Sequence, residues 1–132
     1  MFNLKTHKQR YKAQALKIGQ EKIWNLELNI LYNKDFIDRA EERKAEFEIK
    51  IKNLKAGIEK LGDSAKYEDR IAKKDLTTDL ELWQKKRDQQ NSQIAGTINI
   101  IDGGEVMGKR VIGLVTQIQQ VKDQMEIIRT RF

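Results

Sequence analysis

A seven-residue register runs without a break from Leu16 to Leu61, and it constrains the fold more than any other feature of the chain. Its first position holds Leu16, Ile23, Ile30, Ile37, Lys44, Ile51 and Ile58; its second holds Gly19, Leu26, Asn33, Ala40, Phe47, Leu54 and Leu61. All of these are apolar except Gly19, Asn33 and Lys44. A straight helix of 3.6 residues per turn drifts off a strict repeat of seven, so a seam this long predicts a long helix wound against a partner helix. Proline is absent and 35% of the 132 residues are charged, which suits long helices rather than a sandwich or a nucleotide-binding sheet. The expected class is all-α: an elongated antiparallel helical bundle or coiled coil with one very long N-terminal helix, the bundle being completed by this chain or by other chains. The length suits a single domain over 1–132.

Helix one is expected over about 6–61. Gly62 stands where a left-handed C-cap would sit, and Lys60 lies in the last turn, favourable to the helix dipole. The weakest point is Tyr32-Asn33-Lys34-Asp35, where a polar residue falls on the seam and Asp35 would cap a new helix; the unbroken helix is the preferred reading. Helix two is expected over about 64–101, from the N-cap signal Ser64 or from the capping-box spacing at Thr78-Asp79-Leu80-Glu81. Its apolar positions Leu76, Leu80, Trp83, Ile94, Ile98 and Ile101 are interrupted by Arg87 and Gln90, a weaker seam that would face a polar layer.

Glycines cluster between Gly96 and Gly113. A glycine-rich turn over 102–104, followed by helix three over about 105–131 with Asp102 and Glu105 as a reciprocal cap, is preferred. The alternative is a short hairpin of Ile98–Ile101 against Glu105–Met107, joined by Asp102-Gly103. From Val111 a second strong register takes Val111, Leu114, Ile118, Val121, Met125, Ile128 and Phe132. The helix-partner seam is therefore assigned to Leu16, Ile23, Leu26, Ile30, Ile37, Phe47, Ile51, Leu54, Ile58 and Leu61 in helix one. Toward the C-terminus it comprises Val111, Leu114, Ile118, Val121, Met125 and Ile128.

The net charge of +6 is concentrated at the N-terminus. Lys5, Lys8, Arg10, Lys12, Lys17 and Lys22 are opposed only by Glu21 in the first 22 residues. Such an arm suits nucleic-acid phosphate, an anionic surface or an acidic protein groove, and Lys5, Lys8, Arg10, Lys12 and Lys17 are the candidate contacts. Its freedom from acids before Glu21 also matches an organellar targeting segment, although it contains no serine. No stretch reaches the roughly 20 apolar residues of a transmembrane helix. An intracellular or particle-associated protein without a secretory signal peptide is expected.

Groups able to do chemistry are sparse. Cysteine is absent and His7 is the single histidine, set in the basic arm. Asp38, Glu41 and Glu42, and likewise Glu46 and Glu48, are interleaved with Arg39, Arg43 and Lys44, the pattern of solvated ion-pair faces; the helix-borne Glu-x-x-His pairs of a carboxylate-bridged metal bundle are missing. Gly103 and Gly108 are four residues apart and followed by Lys109, but Arg110 replaces the Ser or Thr that a phosphate-binding loop needs for its magnesium ion. No catalytic residue, metal or cofactor is expected. The sequence reads as a non-enzymatic structural or assembly protein, a component or accessory factor of a larger complex such as a viral or other particle. Its partner would be a protein or a second copy bound through helices. The alternatives are a non-specific nucleic-acid-binding accessory protein and a regulator that masks a partner's surface, with Trp24, just off the seam, as an anchor.

Overall fold

The structure is a computed structural model that describes residues 4–132. The chain is all-α apart from one small hairpin: helix α1 (Leu4–Leu61), helix α2 (Tyr67–Asp102), strands β1 (Gly104–Val106) and β2 (Lys109–Val111), and helix α3 (Leu114–Arg131). Contacts divide it into two units. One comprises the chain up to Phe36 together with Gly96–Phe132; the other is Ile37–Ala95.

In the second unit the C-terminal half of α1 and most of α2 form an antiparallel helical pair. Gly62 closes α1 with φ of 52°, its N–H donating to the carbonyls of Ile58 and Glu59, as a left-handed cap does. The Ser64 hydroxyl donates to Asp69 (2.6 Å) and accepts from the Lys66 N–H (3.3 Å), so it organises the turn, while α2 begins at Tyr67 rather than at Ser64. Thr78 does not start a helix. Thr77 and Thr78 lie inside α2 and donate to the Lys73 and Lys74 carbonyls one turn back, which satisfies their hydroxyls without interrupting the backbone ladder. Ala40, Ile51, Leu54 and Ile94 are the buried apolar residues here. Phe47 packs against Trp83 with ring centroids 5.5 Å apart.

In the first unit α3 runs antiparallel to the N-terminal half of α1. Lys12 meets the end of α3, Gly19 meets Met125, and Leu26 and Val121 flank one groove. Ile23, Ile101, Leu114 and Met125 are its buried apolar residues. Helix α1 is continuous through Asn33, whose amide donates to the carbonyl and side-chain oxygens of Asn29 (2.8 and 2.9 Å); a polar seam residue that satisfies itself along its own helix gives the chain no reason to turn.

The segment after Ile101 differs from expectation. Residues 105–111 are not the start of helix three, and the hairpin does not pair Ile98–Ile101 with Glu105–Met107. Asp102 is the last residue of α2, so it caps nothing with Glu105, and α3 begins at Leu114. The hairpin pairs Gly104 with Val111 and Val106 with Lys109 around Met107-Gly108. Both turn residues have positive φ (52° and 77°), the two-residue geometry that matches strand twist. The departure is enforced from a distance. Gly113 abuts the end of α2 so closely that a Cβ there would lie 2.4 Å from the Asp102 carbonyl carbon and the Gly103 nitrogen. With Gly113 meeting Asp102 backbone to backbone, the ten intervening positions have to leave and return, and an antiparallel hairpin does that in few residues.

Candidate functional site

None of the sixteen assigned seam residues is exposed. In α1, Ile23, Ile51 and Leu54 are buried and Leu16, Leu26, Ile30, Ile37, Phe47, Ile58 and Leu61 half-buried; beyond it, Leu114 and Met125 are buried and Val111, Ile118, Val121 and Ile128 half-buried. Val111 belongs to β2, and Phe132, which continues the register, is exposed past the end of α3. The two non-bulky seam positions have distinct uses. Gly19 admits Met125, whose Cγ and Sδ would lie 2.7 and 2.8 Å from a Cβ at Gly19, and Ala40 is fully enclosed.

The seam of α2 is more polar than its apolar residues alone suggest. Among the positions withdrawn from solvent, Leu76, Leu80, Trp83, Arg87, Gln90, Ile94, Thr97 and Ile101 follow one another at intervals of four and three, with Ile98 displaced to the exposed side. Gln90 and Thr97 are buried. In the second unit Gln90 accepts from Arg43 Nε (3.1 Å) and donates to Gln93 (3.1 Å), and Arg87 reaches Glu48 (3.6 Å) and Asp88 (3.1 Å). Buried polar groups that find each other in only one alignment fix the stagger of a helix pair. Lys86 Nζ sits 4.3 Å from the Trp83 ring centroid and Lys50 Nζ 5.8 Å; of the run Lys85-Lys86-Arg87, Arg87 is half-buried in the helix pair while Lys85 and Lys86 are exposed.

The basic arm does not converge on one surface. Lys12 Nζ donates to the carbonyls of Arg129 (2.8 Å) and Phe132 (3.0 Å) and so caps the negative end of α3. At 100° per residue, Lys5 shares the Lys12 side of α1 and Lys8 lies about 40° from it, whereas Arg10 and Lys17 project about 140–160° away. A single phosphate clamp of all five is not assembled. Lys109, in the would-be phosphate loop, is an exposed strand residue beside a hairpin turn. Among the described residues no three His, Cys, Asp or Glu side chains are grouped to hold a metal ion, and no helix is long and apolar enough to cross a membrane.

What stands out is apolar surface facing water on the side of α1 away from the seam. Trp24 is 61% exposed, Leu31 61% and Tyr32 74%, with Tyr11 and Ile18 also exposed on the same unit. Trp24, Leu28 and Leu31 fall within about 60° of one another around the axis and about 80–160° from Ile23 and Ile30. The sequence singled out Trp24 alone; the companion residues were legible in the spacing 24, 28, 31 but were masked by the louder seam. A second exposed apolar residue, Met107, crowns the hairpin at 98% exposure.

No family model matches the chain, and no curated protein or solved structure is similar to it.

Proposed function

We propose that this chain is a non-enzymatic assembly protein that works by helix-to-helix packing, as a component or accessory factor of a larger complex. The observation that carries this reading is the exposed apolar face of α1 at Trp24, Leu31 and Tyr32. These residues belong to a unit whose fully buried apolar residues, among those described, are Ile23, Ile101, Leu114 and Met125. Burying one large side chain is worth about 1.5–3 kcal/mol, so an exposed tryptophan, leucine and tyrosine on one helix leave about as much unspent driving force as two core residues supply. Contiguous apolar surface of this kind marks a place where another protein docks.

The division of the basic residues between two sides of α1, with Lys12 committed to α3, favours this reading over a phosphate clamp. The test is the mass of the protein in solution by light scattering, alone and with short duplex DNA at low and physiological salt. Multiples of the 15.5 kDa chain mass, unaffected by DNA, are expected. A 15.5 kDa species that binds DNA with a steep loss of affinity in salt overturns the proposal in favour of electrostatic nucleic-acid binding.

A further inference from the structure

The outer face of α1 in the first unit is itself a short heptad seam. Lys17, Glu21, Trp24, Leu28, Leu31 and Asp35 follow one another at intervals of four and three, so they form a stripe on a different side from the buried register. All are exposed except Leu28, which is half-buried beneath its neighbours. The stripe is apolar in the middle, with a lysine toward the N-terminus and an aspartate toward the C-terminus.

This distribution is self-complementary in one orientation only. Two copies laid antiparallel about a two-fold axis near residue 26 set Trp24 against Leu28 twice and Lys17 against Asp35 twice; Glu21 lies across from Leu31, its stem on the leucine and its carboxylate at the rim. Two parallel copies in register would set Lys17 on Lys17 and Asp35 on Asp35, which like-charge repulsion disfavours. A two-fold contact between identical patches is also the one that closes without growing into a filament. On the stripe itself Trp24 and Leu31 expose about 250 Å² per copy from typical side-chain areas, with Ile18 and Tyr32 exposed on its flank.

We infer that the outer face of α1 binds a second copy of this chain, antiparallel, with Trp24 and Leu28 at the centre and Lys17 paired with Asp35 at each end. The inference rests on the assembly reading and names the partner of that surface. Two experiments on the full chain test it. In the first, Trp24→Asp is compared with the parent by light scattering and circular dichroism: the parent dimerises reversibly, and the variant stays at the monomer mass at least tenfold higher in concentration with unchanged helical content. In the second, the absence of native cysteine lets Lys17→Cys and Asp35→Cys report orientation under mild oxidation. A disulfide dimer forms when the two variants are mixed and not when either is oxidised alone. A parent that remains monomeric at about 100 µM, a dissociation constant weaker than that of functional transient pairs, overturns the inference, as does Lys17→Cys cross-linking to itself. A multimer whose mass is indifferent to Trp24→Asp also overturns it while leaving the assembly reading in place.

Discussion

The packing of α3 on α1 makes a double-mutant cycle at Gly19 and Met125 the sharpest probe of the first unit. Replacing a helical glycine by alanine normally stabilises by about 1 kcal/mol, because the backbone loses less freedom on folding. Here the added methyl would sit 2.7 Å from Met125 Cγ and 2.8 Å from Sδ. Cγ is near the root of the side chain, so relief requires turning the whole methionine in a site where it is only 4% exposed. Overpacking of that sort costs about 1–3 kcal/mol, and Gly19→Ala alone should therefore destabilise by about 1 kcal/mol. Met125→Ala should cost about 2–3 kcal/mol, the lower part of the range for such truncations, because the site opens onto the groove between α1 and α3. In the Met125→Ala background the obstacle is gone, and Gly19→Ala should then stabilise by about 1 kcal/mol. The coupling of about 2 kcal/mol is read as a difference in urea midpoint of about 1 M between the two backgrounds, by far-UV circular dichroism at fixed protein concentration. If Gly19→Ala stabilises equally in both, the close approach of α3 to α1 is wrong.

Gly113→Ala should cost about 3 kcal/mol, the upper end of overpacking, because its Cβ would meet the immovable Asp102–Gly103 backbone at 2.4 Å; a thermal midpoint within a degree of the parent refutes that juxtaposition. Met107→Asn should stabilise by about 0.5–1 kcal/mol and Met107→Val should destabilise by about 1 kcal/mol, since φ of 52° suits asparagine and crowds a β-branched side chain; the order of the two melting temperatures decides. Lys12→Met keeps the stem and removes the cap on α3, costing about 1 kcal/mol and speeding amide exchange in the last turn of that helix, while protection in the Ile37–Ala95 unit stays the same. Ile51→Asp with Leu54→Asp puts two carboxylates into a seam that is 2% and 8% exposed at those positions, and the Ile37–Ala95 unit should lose its cooperative unfolding transition altogether.

The sequence was most legible where local periodicity carried the information. The α1 register from Leu16 to Leu61 and the α3 register from Leu114 read directly, because apolar residues recur on the period that the buried face imposes. In α2 the same period was present but written in Arg87, Gln90 and Thr97, which a hydrophobicity count scores as interruptions. The places of Arg87 and Gln90 on the seam depend on Glu48 and Arg43 arriving from α1 to meet them, information held more than thirty residues away. The hairpin was obscured twice: its strands are three residues long, and its turn uses Met107 where asparagine or glycine would have announced it. Its cause, the contact of Gly113 with Asp102, is a tertiary contact with no local signature beyond an unexplained glycine. The outer stripe at Trp24 is legible in hindsight as a second heptad, yet a search for the strongest apolar period finds the inner seam first.

Helix α1 in the first unit thus carries two stripes on different sides, and under the proposed reading they separate folding from association. The inner one is satisfied within the chain by Met125 and the other residues of α3; the outer one keeps Trp24 and Leu31 exposed and adds little to the stability of the monomer, because a residue that is 61% exposed has left most of its transfer free energy unrealised. Substitutions at Ile23 or Met125 should therefore lower stability and association together, whereas Trp24→Asp should remove association and leave the unfolding midpoint of the dilute monomer nearly where it was. Folding alone does not call for tryptophan, leucine and tyrosine on that side, where Lys or Glu would serve the helix as well. Their presence on a helix already anchored on another side is the physical reason to propose the outer seam as the working surface of the molecule.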